Sequence, residues 1–232
     1  MLEQLKADVL RANRDLVSNG LVIFTWGNVS AIDRRSGLIV IKPSGMDYDV
    51  MNEEDMVVVN MDGEVVEGAR KPSVDLFTHI ELYKAFDKIG AVVHTHSTFA
   101  TAYAQAGKPI EPYGTTHADY FYGAIPCARA LTKKEVDTEY ERNTGKVVVQ
   151  TFAKLDYSAI PAALADGHGV FAWGDNAYKA VYNATVVEQC AKMAYLSRGI
   201  NPDIKPVNQY LLDRHYLRKH GKNATYGQGE DK

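Results

Sequence analysis

The stretch AVVHTHS, residues 91–97, carries a strong strand signal and the first candidate metal ligands. Its apolar run ends in two histidines that are separated by one residue, which predicts a strand over 91–96. Because side chains alternate between faces along a strand, His94 and His96 project to the same face. Two such imidazoles can begin the coordination shell of Zn²⁺. Ordinary polar histidines are the alternative, but unpaired histidines on a buried strand would be costly.

A third ligand has to come from elsewhere in the chain, and His168 is the candidate. The glycines on either side of it bring the backbone close to the imidazole, which suits a tight site and also a plain turn. Asp75, in the first turn of a predicted helix, could add a carboxylate. The sequence therefore predicts a metal site at His94, His96, His168 and Asp75.

Outward from this strand, strands and helices interleave irregularly. Strands are expected at 21–25, 38–42, 56–60, 64–67, 91–96 and 146–152 and within 161–171. Helices are expected from residue 2 to about 19, from Ser73 to about 86, and at 97–105, 177–198 and about 206–220, with a capping box at 132–135. No linker or repeat interrupts the pattern. We expect an α/β fold with a single domain over 1–232, in which α-helices sandwich a mostly antiparallel central β-sheet.

Composition excludes several classes of partner. The chain has 232 residues and a net charge of −3, so no basic field recruits nucleic acid or anionic lipid. No apolar run approaches the roughly 20 residues that span a bilayer, and the first residues predict an amphipathic helix rather than a signal peptide. We expect a cytoplasmic protein without nucleic-acid or membrane partners, and Cys127 and Cys190 as buried free thiols.

Two loops rich in small residues follow predicted strands: TWGN at 25–28 and KPSG at 42–45. Such turns can point backbone N–H groups at an anion, and Lys42 adds positive charge. Ser73, at the N-terminus of a predicted helix, could join them. The three segments predict a phosphate cradle, although each one is first of all a turn and none matches a Walker or Rossmann pattern.

Six segments together resemble the epimerase branch of the class II aldolase/epimerase family. They are TWGNVSA, IKPSG, VVHTHS, GTTHADYFYG, FAWG and RKHG…YGQ, in the family's order and spacing from residue 1 to about 228. The family also includes fuculose- and rhamnulose-phosphate aldolases and the adducin head; GTTHADYFYG and YGQ favour the epimerases. The resemblance implies zinc-dependent conversion of L-ribulose 5-phosphate to D-xylulose 5-phosphate. It also implies a four-fold symmetric homotetramer with one Zn²⁺ per subunit and active sites between subunits.

The same resemblance implies roles for individual residues. It implies zinc ligands at His94, His96 and His168, with Asp75 at or near the metal. Substrate and phosphate contacts are implied around Gly27, Asn28, Lys42, Ser44, Gly45, Ser73 and Val74. Asp119 and Tyr226 match the catalytic acid/base pair, acting on a neighbour's zinc, with Tyr226 in a tail that starts near residue 222. Glu141 and His215 fall at positions that the family associates with activity.

Chemistry explains why such residues are needed. The C4 hydrogen of a ketopentose phosphate is not acidic, so inversion by proton abstraction is hard. Breaking the C3–C4 bond avoids this, because a zinc ion can stabilise the resulting enediolate as a Lewis acid. The aldehyde can then rotate and present its opposite face when the bond forms again. A carboxyl and a phenol, Asp119 and Tyr226, can carry the two protons. The plainer alternatives are a turn residue and a tail residue.

The chain departs from the family pattern in two places. Ser73-Val74-Asp75 stands where the family usually has Ser-Ser-Asp, which removes a hydroxyl from the phosphate side. Residues 166–170 read DGHGV in place of HSHGP, which keeps the ligand histidine. The alternatives are an aldolase or epimerase for a related ketose phosphate, or a non-catalytic module of the adducin-head type. The three histidines together with Asp119 and Tyr226 argue against the module.

Overall fold

The computed structural model describes residues 2–222 and residue 224. Within them, seven strands form one sheet, in the order β4-β3-β2-β1-β5-β7-β6. Every neighbouring pair is antiparallel. The strands are β1 (Gly27–Asp33), β2 (Leu38–Ile41), β3 (Val57–Val59), β4 (Val65–Glu67), β5 (Ala91–Thr95), β6 (Ala162–Ala165) and β7 (Gly169–Gly174).

Helices flank this sheet, as the sequence predicts. They are α1 (Glu3–Ser18), α2 (Leu76–Ala85), α3 (Thr98–Gln105), α4 (Thr115–Ala118), α5 (Lys133–Asp137), α6 (Tyr140–Thr151), α7 (Ala177–Ile200) and α8 (Gln209–His220). Helices α2 and α6 pack against each other, and α1 and α3 pack against α7. The antiparallel sheet with flanking helices confirms the predicted fold class.

The sheet face under α2 carries the candidate site. Ser30 of β1 hydrogen-bonds to His79 and Tyr83 of α2, so α2 lies against this face. Strand register puts Asn28, His94 and Phe171 side by side across β1, β5 and β7, two residues along each strand from Ser30, Val92 and Trp173. Because strand side chains alternate, all six share that face.

Two predicted strands are wrong. Residues 146–152 lie mostly in α6, where Thr144, Gly145, Val147 and Val148 are buried at helical spacing. A side chain at Gly145 would come within 2.6 Å of Glu81 Cβ in α2, so this close helix contact overrides the strand preference of the valines. Residues 21–25 form a loop, because Phe24 has a φ of 51° and leaves the extended region.

Helix ends differ from the prediction by a few residues. Helix α2 begins at Leu76 with Asp75 at its N-cap, because Ser73 N–H bonds to Lys42 O and holds Ser73 in the preceding loop. Helix α8 begins at Gln209 rather than 206, and α7 runs through Gly199 to Ile200. The capping box of Thr132 and Glu135 is confirmed.

Two further sequence expectations concern cysteines and membranes. Cys190 is buried and Cys127 is half-buried, and both are free thiols, so the burial prediction is confirmed fully only for Cys190. Across the described part of the chain, no helix has both the length and the apolar character that crossing a membrane requires.

Candidate metal centre and substrate loops

The sheet positions two of the three predicted histidine ligands. His94 lies in β5 between β1 and β7, directly opposite Asn28 on one side and Phe171 on the other. His96 follows the end of β5, and its N–H bonds to Trp26 O at 3.3 Å. His168 occupies the turn between β6 and β7, whose pairing brings that turn to the end of β5 where His96 lies. The pairing of β5, β6 and β7 therefore places the imidazole of His168 beside those of His94 and His96.

The three imidazoles form a nearly equilateral group, which we call the histidine cluster (His94, His96 and His168). Their ring centroids lie 4.9, 4.8 and 4.9 Å apart. One ligand nitrogen from each ring lies within 4.8 Å of the others. The Nε2 atoms of His94 and His96 approach to 3.1 Å. Two nitrogens of a tetrahedral zinc site, each about 2.1 Å from the metal, lie about 3.4 Å apart. The arrangement fits a single small divalent ion.

The backbone determines which nitrogen of His94 is available. Its Nδ1 lies 3.0 Å from Val170 O, so Nδ1 carries the proton and donates it there. The lone pair of Nε2 then faces His96. The ring also stacks on Phe171 with centroids 4.3 Å apart. His94 is held in the orientation and tautomer of a metal ligand.

Gly169 leaves the space that the histidine cluster occupies. A Cβ at this position would lie 2.7 Å from Thr95 O and 3.3 Å from His94 Cε1. The first distance is shorter than real Cβ contacts, so any side chain would push β5 and β7 apart at the cluster. The glycine after His168 is required for packing.

Burial keeps His96 and His168 in the form that binds a metal. Burial, aided by His94 and His96, lowers the pKa of His168 to about 4, and burial also lowers the pKa of His96. Both imidazoles are therefore neutral at pH 7, which is the form that binds a metal. The donor set, its spacing and its charge state all fit Zn²⁺ or a similar ion.

Asp75 lies beside the histidine cluster and not within the group of converging ligand atoms. Asn28 Nδ2 donates to Asp75 Oδ2 at 2.8 Å, and Asn28 is the strand partner of His94. Burial alone would raise the pKa of Asp75, but the imidazoles of His94, His79 and His168 and the Asn28 bond outweigh it and lower the pKa. Asp75 is thus a carboxylate next to the cluster, and its direct contact with a metal stays a prediction.

The predicted substrate loops converge through backbone hydrogen bonds. Ser44 N–H bonds to Lys71 O at 2.9 Å, and Ser73 N–H bonds to Lys42 O at 3.0 Å, so the two segments run side by side. Tyr48 Oη donates to Gly27 O at 2.7 Å, and this bond connects the loop at 25–28 to the segment that follows the loop at 42–45. Gly45 has a φ of 65°, which favours glycine. The structure therefore brings Gly27, Asn28, Ser44, Gly45 and Ser73 to one region.

The side chain of Lys42 folds back onto the turn at residues 43–46. Its ammonium is buried and donates to Pro43 O at 3.2 Å and Met46 O at 2.6 Å, over the ring of Tyr48. Burial lowers its pKa to about 8. In these contacts Lys42 holds the turn that carries Ser44 and Gly45. Val74, by contrast, is 64% exposed next to Ser73.

A second polar group, the Asp119 cluster (Asp119, His215, Arg218 and His220), joins α4 to α8. His215 Nδ1 lies 3.0 Å from Asp119 Oδ1, and Arg218 donates to both carboxylate oxygens. His220 Nε2 donates to Asp119 O at 2.8 Å. Asp119 and His215, predicted separately, are thus direct partners. Part of the basic stretch at 214–222 is thus tied to Asp119.

Not all predicted site residues come together. Within residues 2–222, no hydrogen bond or ion pair links Asp119 to the histidine cluster. Tyr226 lies outside the described residues. Glu141 follows Tyr140 in α6, and its carbonyl accepts a bond from Thr78 Oγ1.

Sequence reasoning missed two residues near the histidine cluster. Tyr140 Oη lies 3.4 Å from His168 Nδ1. His79 is fully buried behind Asp75, and burial lowers its pKa to about 3. The spacing of Asp75 and His79, four residues apart at the start of a helix, is a signal that could have pointed to His79. No sequence signal pointed to Tyr140, because its contact with His168 depends on how α6 packs.

Comparisons with known proteins agree with this geometry. Residues 7–195 match the model of the family described as Class II Aldolase and Adducin N-terminal domain. The chain is 56% identical over 227 residues to proteins named L-ribulose-5-phosphate 4-epimerase UlaF from Salmonella paratyphi C and Salmonella typhi, covering 98% of this chain and all of theirs. A solved L-fuculose 1-phosphate aldolase superposes with a TM-score of 0.79 at 26% identity, covering 93% of this chain and 95% of that one. The chain belongs to the class II aldolase and adducin N-terminal domain family.

Proposed function

We propose that this protein is a zinc-dependent epimerase that inverts C4 of L-ribulose 5-phosphate to give D-xylulose 5-phosphate. The observation that carries the proposal is the histidine cluster at the end of the sheet, next to the converging loops around Ser44 and Ser73. Relatives that share 56% of their residues across the full length carry the name of this activity. A non-catalytic module would have no need of three imidazoles that converge on one point.

His94, His96 and His168 would hold the metal. When bound, the ion supplies Lewis-acid stabilisation of the negative charge that develops on the substrate oxygens. Asp75 lies next to the ligands and contributes a negative charge. It also fixes Asn28 through a hydrogen bond, so that Asn28 Oδ1, buried without a hydrogen-bond partner among the described residues, is available to a substrate hydroxyl.

The proposed loops bind the phosphate end of the substrate. The turn at 43–46, held by Lys42, presents Ser44 and Gly45 beside Ser73. Hydroxyl and backbone N–H donors in such a turn suit a phosphate dianion. This anchoring keeps the C4–C5 fragment in place while its aldehyde rotates.

The reaction proceeds by breaking and remaking the C3–C4 bond. A base removes the proton of the C4 hydroxyl, the C3–C4 electron pair moves to the C2–C3 fragment, and C4 becomes an aldehyde. After rotation the electron pair adds to the opposite face, and an acid returns a proton to the C4 oxygen. We assign the two proton carriers to Asp119 and Tyr226. His215 and Arg218 orient the carboxylate of Asp119.

We propose in addition that the active sites lie between subunits of a homotetramer, in the cytoplasm. Within one chain, contacts between α4 and α8 hold the Asp119 cluster. Among the described residues, no hydrogen bond or ion pair joins it to the histidine cluster. A proton carrier from an adjacent subunit would complete the site. The C-terminal tail with Tyr226 would act in the same way.

The direct test is incubation of the zinc-loaded protein with L-ribulose 5-phosphate, followed by identification of the pentulose phosphate formed. We expect D-xylulose 5-phosphate, and we expect chelator-treated protein to form none until zinc is restored. Accumulation of dihydroxyacetone and glycolaldehyde phosphate would instead identify an aldolase. Absence of both outcomes with metal-loaded protein would reject the proposal.

The second candidate is an aldolase or epimerase for a related ketose phosphate. Val74 favours it, because an exposed apolar side chain lies beside the proposed phosphate loop. The similarity in fold to an L-fuculose 1-phosphate aldolase is compatible with it. A panel of ketose phosphates in the same assay separates the two candidates.

A further inference from the structure

Tyr140 lies against the histidine cluster from the helical layer. It is the first residue of α6, directly after the N-cap residue Glu139. Its hydroxyl lies 3.4 Å from His168 Nδ1, and the two ring centroids are 6.1 Å apart. Tight contact between α6 and α2 at Gly145 holds the start of α6 in place.

The two ring nitrogens of His168 have different surroundings. Nδ1 faces the Tyr140 hydroxyl, which leaves Nε2 as the nitrogen for the cluster. His94 shows the same division, with Nδ1 on Val170 O and Nε2 towards His96. A metal-binding histidine needs an acceptor for its second N–H, because that bond sets the tautomer and the orientation of the ring. For His94 the group opposite Nδ1 is a backbone carbonyl, and for His168 it is the Tyr140 hydroxyl.

We propose that Tyr140 is a positioning residue for His168: its hydroxyl accepts the Nδ1 proton and holds the imidazole with Nε2 turned to the metal. The proposal rests on the metal centre of the proposed function. The 3.4 Å separation is longer than a strong hydrogen bond, so the role is orientation of the ring.

The surroundings of Tyr140 favour this role over that of a metal ligand. Its hydroxyl faces His168 Nδ1 and not Nε2, the nitrogen that we assign to the metal. Its ring is half-buried and lies outside the set of hydrophobic side chains that form or pack against the core. Removing the hydroxyl should therefore alter the metal site and spare the fold.

The test compares Tyr140→Phe with Tyr157→Phe. Tyr157 is a matched control, because its hydroxyl donates to Asp87 at 2.7 Å. The readouts are the dissociation constant for Zn²⁺, from competition with a chelator, and the absorption spectrum of the Co²⁺-substituted protein. We expect Tyr140→Phe to weaken zinc binding by about 10- to 100-fold, as loss of such supporting partners does. We also expect a changed Co²⁺ spectrum, and wild-type values for Tyr157→Phe.

Unchanged zinc affinity and an unchanged Co²⁺ spectrum in a folded Tyr140→Phe protein would overturn the proposal. If that variant does not fold, Tyr140→Leu is the second variant, with the same expectation and the same criterion. Failure of the wild-type protein to bind zinc would reject the metal centre itself, which is a separate result. Wild-type turnover at saturating zinc, together with weakened affinity, would support positioning.

Discussion

The histidine cluster and the Asp119 cluster differ in what surrounds their polar atoms. In the first, ring nitrogens from β5, its end and the β6–β7 turn converge, while the Nδ1 atoms of His94 and His168 face Val170 O and the Tyr140 hydroxyl. In the second, the carboxylate of Asp119 is surrounded by donors from α8, with His215 and Arg218 both bonded to it. The first site is built to receive a cation, and the second already holds cationic or donor partners.

The two clusters, to which we assign metal binding and proton transfer, are held by separate parts of this fold. His94 belongs to a central strand that is paired on both sides, so hydrogen bonds to β1 and β7 hold its backbone in the sheet. Asp119 follows the four-residue helix α4 and depends on a terminal helix for its orientation. A substitution in one cluster should therefore leave the other intact, and the predictions below test that separation.

The largest effect is expected for His96→Asn in the histidine cluster. Loss of one of three imidazoles should release the metal, and Lewis-acid stabilisation is worth several kcal/mol, so activity should fall by about 10³-fold or more. Metal analysis and kcat/KM measure the two effects, and circular dichroism should show an unchanged fold. Full metal occupancy with normal turnover would reject the assignment of the site.

A smaller effect is expected for Asp119→Asn. Loss of a proton carrier should lower kcat by about 10²-fold or more. Zinc content should stay at the wild-type level, because no hydrogen bond or ion pair in the described part of the chain joins Asp119 to the ligands. Asp213→Asn, which alters a carboxylate of α8 bonded to Tyr122, is the matched control and should be near wild type. Loss of zinc from Asp119→Asn would contradict the separation of the two clusters.

Mixed assemblies sharpen the comparison further. If each site combines a histidine cluster from one subunit with Asp119 from another, inactive His96→Asn and Asp119→Asn chains should restore activity together. Random equimolar mixing gives both intact clusters to about one quarter of the sites. Mass spectrometry must first confirm that mixed oligomers form. No recovery in confirmed mixed oligomers would show that each site lies within one subunit.

The sequence predicts the histidine cluster better than the Asp119 cluster, for a physical reason. His94 lies in β5 and His96 directly follows its end, and alternation along a strand, at a spacing of two residues, already predicts a common face. Asp119 and His215 are 96 residues apart, and only the docking of α8 on α4 joins them. The family resemblance identified both residues, but neither periodicity nor propensity predicted their contact.

The same limit explains the errors in the fold. The valines at 147–149 favour a strand locally, and the close approach of α2 at Gly145 makes them helical. Tyr140 reaches His168 through that same packing, which is why its position at the site was not predicted. The capping box of Thr132 and Glu135, which lies within one helical turn, was predicted correctly, whereas these contacts between elements required the structure.

The smallest effect is expected for Val74, one of the positions where the sequence departs from the family pattern. Val74 lies between Ser73 and the N-cap residue Asp75 of α2, and it is 64% exposed. A serine at this helix N-terminus could donate a hydrogen bond to the substrate phosphate, and a bond to a charged group is worth about 1.5–3 kcal/mol.

We therefore expect Val74→Ser to lower KM for L-ribulose 5-phosphate by about 3- to 30-fold, a range discounted for the donors already present. Because the phosphate is remote from the bond that breaks, kcat should change less than KM. Val136→Ser, at a comparably exposed valine of α5, is the matched control and should leave KM unchanged. An unchanged or higher KM for Val74→Ser would mean that Val74 shapes the pocket for another ketose phosphate. In that case L-ribulose 5-phosphate would be abandoned as the substrate, while the histidine cluster would retain its role.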